Sequence, residues 1–246
     1  MELKVDGATL NVETDGPKDA PPVLLWHGAW CTLRMWDRVV EMLKDQFYLI
    51  RFDVRGVGLS SPAADPDTQY TFEQYAEDAN LILDAEGIKQ CHIWSMAWGT
   101  RAALAYCALN PDCVISAALF DASIGRADVE AQREGGKKAL ALQIAAGIEK
   151  FEPPEGSFSH KYPDSVPQAL AAAAKINLVE SVPKLSMPVL VGTGDHDPNL
   201  DSSKELVDLA PDARLVIFEN VGHGSVLQRP DLTTATFLEF QDSLKG

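Results

Sequence analysis

The sequence predicts an α/β protein, a mostly parallel sheet with helices on both faces. Two observations carry that expectation. Short apolar runs of strand character alternate with helix-length segments over residues 23–120 and again after residue 188, and such alternation implies parallel strands joined by helical crossovers. The chain also has 246 residues, 46% of them hydrophobic, enough apolar surface for one large core in a fold class that routinely reaches this length as one domain. Residues 1–246 are therefore read as a single domain with an insertion at about 126–183.

The elements follow in order. Residues 3–5 and 9–14 alternate around Asp6-Gly7, a hairpin turn signal. A strand at 23–26 leads to a helix at 33–43, a strand at 47–52, a helix at 71–85, a strand at 92–96, a helix at 98–109 and a strand at 114–120. The helix at 98–109 stops before Asn110-Pro111, because the residue preceding proline is biased away from helical backbone. Thr71 with Gln74, and Ser202 with Glu205, have capping-box spacing, so both are expected to open helices. Between 126 and 183 the strand pattern disappears, leaving helix-like stretches at 136–149 and 166–178 around a segment containing Pro, Gly, Ser and His at 152–165. The sheet resumes at Pro188, and a helix over about 229–244 closes the chain.

The most informative stretch is Cys91-His92-Ile93-Trp94-Ser95-Met96-Ala97-Trp98-Gly99-Thr100. A sharp strand-to-helix turn crowds backbone against backbone, so the residues two before and two after its centre must be small. Around Ala97 those residues are Ser95 and Gly99. Centring the turn on Ser95 would put Ile93 and Ala97 in the small slots and bring Trp98 into the next close approach. Ala97 is thus the centre, where a nucleophile is normally carried, and Ser95 is a small packing residue.

Four further segments belong with it. Val23-Leu24-Leu25-Trp26-His27-Gly28-Ala29-Trp30 is a strand ending in a His-Gly turn, and Asp53-Val54-Arg55-Gly56-Val57-Gly58-Leu59-Ser60 is a glycine-punctuated loop. The apolar strand beginning at Pro188 runs into Gly194-Asp195-His196-Asp197-Pro198, and Val221-Gly222-His223-Gly224 follows the strand at 215–218. In this order the five segments resemble the α/β-hydrolase superfamily over nearly the whole chain, in particular its compact esterases and lactonases with a short lid.

That superfamily runs nucleophile, acid, histidine, which here gives Ala97, Asp197 and His223. The resemblance implies that the backbone N–H groups of Ala29 and Trp98 form an oxyanion hole, and that residues 126–183 are a short helical lid selecting substrate by shape. Trp30 and Trp98, beside that hole, are expected to line the pocket as a flat apolar wall. The implied chemistry is serine-type cleavage of a carboxylic ester or lactone through an acyl-enzyme, without cofactor or metal. With alanine at position 97 the chain should bind an ester far better than it cleaves one, and it reads as an engineered substrate trap. Two alternatives stay open: a naturally nucleophile-free ligand-binding protein, and a cofactor-independent oxygenase or lyase using the His-Asp pair as base.

Other residues compete for these roles. Asp121, at the end of the strand at 114–120, is an alternative acid, because some members of the superfamily place theirs there. His27 reads as structural, His92 as an in-strand residue, and His160 and His196 as surface or lid-side groups. Asp53 and Arg55 are expected to brace loops by ion pairing. Cys31, close behind Ala29, is a conceivable substitute nucleophile, but a reactive thiol needs an activating partner.

Composition bounds the partners. A formal charge of −15 opposes binding to nucleic acid or an anionic membrane. No run approaches the roughly 18 apolar residues of a membrane span, and the N-terminus lacks a charged-then-apolar signal pattern, so a cytoplasmic location is expected. Cys31, Cys91, Cys107 and Cys113 lack metal-ligand spacing and are expected to be free.

Overall fold

The computed structural model describes residues 1–125, 127–174 and 177–245. In chain order the elements are β1 (Glu2–Val5), β2 (Ala8–Asp15), β3 (Pro22–Trp26), α1 (Asp37–Leu43), β4 (Tyr48–Phe52), α2 (Pro66–Gln69), α3 (Phe72–Glu86), β5 (Cys91–Met96), α4 (Trp98–Leu109), β6 (Val114–Phe120), α5 (Val129–Ala145), α6 (Val166–Leu170), β7 (Val189–Gly194), α7 (Leu200–Leu209), β8 (Ala213–Phe218), α8 (Ser225–Gln228) and α9 (Pro230–Ser243). The strands form one sheet in the order β1-β2-β4-β3-β5-β6-β7-β8. β1, β2 and β4 pair antiparallel, and every pair from β4 onward is parallel. After β3 the chain pairs outward to β4 and then returns to the other side of β3 as β5, and the crevice at such a reversal is where open α/β sheets hold ligands. Ala29 and Ala97 follow the two strands that flank it.

Both sheet faces are covered, which is why β3 and β5 are buried at nearly every position rather than at alternate ones. On one face α3 and α4 pack their buried residues, including Tyr75, Ala79 and Tyr106, against Leu24 and Ile93. On the other, Trp36, Val40 and Phe237 meet Val23, Leu25 and Trp94. Trp94 stacks on Phe237 at 4.5 Å and 4°, which fastens α9 to the sheet; such aromatic pairs contribute about 0.5–1.5 kcal/mol beyond their area. Among the described residues no helix is long and apolar enough to cross a membrane.

Several boundaries differ from the sequence expectations. The helix expected at 33–43 begins as a 3₁₀ turn, Leu33–Trp36, capped by Thr32. α5 starts earlier than residue 136 because Asp128 caps it by accepting from the Ala131 N–H at 3.0 Å; it ends at Ala145, near Gly147 with φ 73°. α6 ends at Leu170 and passes into a 3₁₀ turn, Ala171–Ala174. The remainder of that expected helix at 175–176, and Arg126 at the head of the insertion, lie outside the described residues. Thr71 caps α3 as expected, accepting from the Gln74 N–H at 3.1 Å. Ser202 does not cap α7, which opens at Leu200 behind Asn199; the Ser202 hydroxyl accepts instead from the Ile124 N–H at 2.9 Å.

Candidate active site

The turn between β5 and α4 is strained at its centre. Ala97 has φ 57° and ψ −117°, a conformation costing on the order of 1–3 kcal/mol that persists only where the surroundings over-determine it. Its N–H donates to the Phe120 carbonyl at 2.9 Å, and its carbonyl accepts from the Thr100 N–H at 3.1 Å. Gly99 shows how close the backbones come: a Cβ there would stand 2.7 Å from the Trp26 carbonyl oxygen and nearer still to that of His27. Ser95 is fully buried, with its hydroxyl 3.0 Å from that of Thr100 and donating to the Ala118 carbonyl. Its hydroxyl is thereby engaged inside the core. Trp98 is the first residue of α4, so its N–H has no intrahelical acceptor and sits at the positive end of the helix.

The loop after β3 supplies the facing wall. The Cys31 N–H donates to the Gly28 carbonyl at 3.1 Å, closing a turn whose third residue, Trp30, has φ 59°. Ala29 lines the cavity. Trp30 departs from its expectation: it is 51% exposed and is not among the cavity-lining residues. It lies instead beside His160, with ring centroids 6.3 Å apart. Trp98 does line the cavity, although most of its ring packs edge-on to Phe72 and Tyr75 while its indole N–H donates to the Leu170 carbonyl at 3.0 Å.

His223 and Asp197 meet across the ends of β7 and β8. His223 Nδ1 is 3.0 Å from Asp197 Oδ2. The carboxylate is itself held by the Asn199 N–H, which donates to Oδ1 at 2.9 Å. Burial is the largest influence on His223 and disfavours its charged ring, but the hydrogen bond and charge of Asp197, joined by the charge of Asp121, raise its pKa above the ordinary value. When Nδ1–H donates to the carboxylate, Nε2 is the acceptor nitrogen of the ring.

Asp121 occupies the end of β6 with φ 55° and is fully buried. Its Oδ2 accepts from the Ser225 N–H at 2.7 Å and hydroxyl at 3.0 Å, while Oδ1 has no partner among the described residues. Burial, reinforced by the nearby charge of Asp197, pushes its pKa up to about 7. Asp197, not Asp121, is therefore the carboxylate on the imidazole. Asn199, which sequence reasoning passed over, ties the two together: its Nδ2 donates to the Asp121 carbonyl at 3.1 Å and lies 3.5 Å from His223 Nδ1.

The remaining candidates take supporting places. His27 Nε2 accepts from the Val54 N–H at 3.1 Å, and its ring stacks on Trp98. His92 lies 2.8 Å from the Ser116 hydroxyl, and burial pulls its pKa down to about 4. His160, from the insertion, accepts from the Gly58 N–H at 3.0 Å and faces the Trp30 carbonyl. His196 lies 3.9 Å from Asp195. Asp53 braces its loop through hydrogen bonds, accepting from the N–H groups of Leu33 and Leu59 and the Asn11 amide, and among the described residues it makes no ion pair. Arg55 pairs bidentately with buried Asp78 at 2.8 and 2.5 Å. Cys31 is buried and its thiol is pushed up to about 12 by that burial, which rules out a thiolate near neutral pH.

Ala97, Trp98, Ala29 and His223 thus share one cavity of about 580 Å³, which Ile124 and Val129 also line. Asn199 and Arg101 add polar groups to it. The volume suits a small organic molecule.

The model of a family described as "Alpha/beta hydrolase family" matches residues 23–236. The 3-oxoadipate enol-lactonase 1 of Acinetobacter baylyi is 25% identical over 214 residues, 78% of this chain and 77% of that protein. A 96-residue segment is 33% identical to the probable oxidoreductase EphD of Mycobacterium tuberculosis, covering 39% of this chain but only 16% of that protein. In structure, the enol-lactonase from Burkholderia xenovorans superposes with a TM-score of 0.81 at 24% identity, over 98% of this chain and 100% of that one.

Proposed function

The chain belongs to the alpha/beta hydrolase family, and on that premise we propose that its cavity binds a small carboxylic ester or lactone in an acyl-transfer site whose nucleophile position is Ala97. One observation carries the reading: His223, hydrogen-bonded to buried Asp197, lines the same cavity as the strained turn at Ala97. The similarity to an enol-lactonase over most of both chains supports the substrate class.

The division of labour follows from the geometry. The substrate carbonyl oxygen lies against the N–H groups of Ala29 and Trp98, where charge developing on it meets backbone dipoles. In a serine form the residue-97 hydroxyl attacks the carbonyl carbon, its proton passes to His223 Nε2, and that proton then leaves on the departing alkoxide. Water repeats the sequence to release the acid. Asp197 holds the imidazole in the required tautomer and stabilises it when charged. Alanine at 97 offers no atom for the first bond, so the chain holds an ester without forming the acyl-enzyme. The segment at 126–183 acts as the lid, since Ala127, Val129 and Gln132 from it line the cavity together with Ala97 and His223.

Ala97→Ser tests this reading by hydrolysis of p-nitrophenyl butyrate and a panel of simple lactones. Loss of a serine nucleophile costs on the order of 10⁶ in turnover in a comparable site, so the serine form should exceed the alanine form by about 10⁴–10⁶. Equal, near-background rates for both across the panel would overturn the proposal.

A further inference from the structure

The turn that carries Ala29 is held by a side chain of the insertion. Gly28-Ala29-Trp30-Cys31 closes through the Cys31 N–H, which donates to the Gly28 carbonyl at 3.1 Å, and its third residue, Trp30, stands at φ 59°, a value that in a β-turn ordinarily calls for glycine. A bulky residue there is strained and persists only where its surroundings over-determine it. His160 Nδ1 accepts from the Gly58 N–H at 3.0 Å, so the ring proton is on Nε2, which donates to the Trp30 carbonyl at 3.1 Å. Among the described residues no other side chain of the insertion hydrogen-bonds this turn.

These bonds join end to end. The peptide between Trp30 and Cys31 accepts at its carbonyl from His160 and donates through its N–H to the Gly28 carbonyl. That carbonyl shares a peptide with the Ala29 N–H, and in a trans peptide the two point in opposite directions. The Ala29 N–H has no acceptor among the described residues, and Ala29 lines the cavity. The Gly58 N–H, the His160 ring and the two peptides therefore run donor to acceptor in one direction and end on a free N–H at the cavity; each link in such a chain polarises the next. His27 Nδ1, whose Nε2 accepts from Val54, is a second donor to the Gly28 carbonyl at 3.0 Å, whereas the Trp30 carbonyl is held by His160.

We propose that His160 is a positioning residue for the oxyanion hole: through the Trp30 carbonyl it holds the Ala29 N–H on the developing oxyanion, although it does not itself line the cavity. The inference rests on the acyl-transfer reading of the site and gives the insertion a part in the chemical step. The competing role is a tie between the insertion and the loop at 53–60, for which the Gly58 bond alone matters.

Hydrolysis of p-nitrophenyl butyrate by the Ala97→Ser form, alone and combined with three substitutions at position 160, separates the two roles. His160→Ala should lower kcat about ten- to a hundredfold, less than outright loss of an oxyanion donor, while KM moves less than about threefold. His160→Gln places an amide N–H near the position of Nε2 and should recover kcat to within about fivefold of the histidine form. His160→Asn keeps only an acceptor for Gly58 and should fall with His160→Ala. Benzyl trifluoromethyl ketone gives a second readout, because the residue-97 hydroxyl adds to its carbonyl carbon, the proton passes to His223 and the ketone oxygen becomes the oxyanion. Its inhibition constant should weaken in His160→Ala by the same factor as kcat/KM. Unchanged kcat in His160→Ala, a loss carried by KM with the ketone unmoved, or His160→Gln no better than His160→Asn overturns the proposal and leaves the acyl-transfer site intact. Should His160→Ala fail to fold, the order of His160→Gln and His160→Asn decides, in kcat and in ketone inhibition. If the Ala97→Ser form is inert with His160 in place, both readings fall.

Discussion

Replacing Asp121 by asparagine should stabilise the protein increasingly as the pH is raised. Asp121 is fully buried, and its pKa stands at about 7 against an ordinary 3.8, first because of burial and then because of the charge on Asp197; His223 and the two Ser225 hydrogen bonds oppose the rise. A carboxyl whose folded pKa lies above its unfolded one binds its proton more tightly when folded. Its contribution to stability is therefore complete below about pH 3.8 and is lost as the pH rises through about 7. Between pH 5 and 7 the unfolded chain has already released this proton and the folded chain has not, so stability falls by about 1.36 kcal/mol per pH unit. From pH 5 to pH 8 the loss through this one group is on the order of 2–3 kcal/mol. Asparagine does not titrate, and its side-chain oxygen can still accept from Ser225. Urea unfolding of both proteins at pH 5 and pH 8 measures the effect. The stability difference in favour of Asp121→Asn should widen by about 2–3 kcal/mol between the two conditions. A difference that stays constant, or that narrows toward pH 8, refutes the account of a carboxyl held neutral by burial.

Two further outcomes follow from the site geometry. In the serine form, Asp197→Asn should lower turnover by about 10⁴, through the wrong histidine tautomer, while Asp121→Asn stays within about tenfold because its carboxyl bonds Ser225 rather than the imidazole; the reverse order, measured by kcat on folded variants, would reassign the acid. Gly99→Ala should destabilise by about 3 kcal/mol or more, since its Cβ meets the backbone carbonyls of Trp26 and His27, and a urea midpoint close to that of the parent would show that the two backbones can separate.

The elements that were legible in the sequence are those with local causes. β6 and α4 appear with the bounds read from the sequence, the first because a run of apolar residues is bounded by turn signals, the second because Trp98 follows a sharp turn and Pro111 forbids continuation. The centring of that turn on Ala97 was also legible, because the size limit at Ser95 and Gly99 is a short-range steric fact. The loops carrying Asp197 and His223 were picked out by their resemblance to the superfamily's acid and histidine loops and by that family's order along the chain. Boundaries slipped where a competing partner lay far away: Ser202 has the spacing of a helix cap, but its hydroxyl is taken by the Ile124 N–H, 78 residues distant.

By itself, then, the sequence determined the alternation of strands and helices and the steric centring of the turn on Ala97, which follow from periodicity and side-chain size, while the choice of Asp197 and His223 came from the family resemblance, and the fold sets those two side chains 3.0 Å apart. Tertiary structure alone decided which distant groups share an environment. Trp30 and Trp98 both adjoin the cavity loops in sequence, yet a positive φ leaves Trp30 half exposed beside His160 while α3 and the Leu170 carbonyl hold Trp98 largely buried. The partnering of Arg55 with Asp78, the bridge made by Asn199, the burial of Asp121 and the entry of Arg101 into the cavity wall are of the same kind. The physical reason is that a residue's charge and hydrogen bonds depend on what desolvates it, and desolvation is set by neighbours tens of residues away that local pattern does not encode.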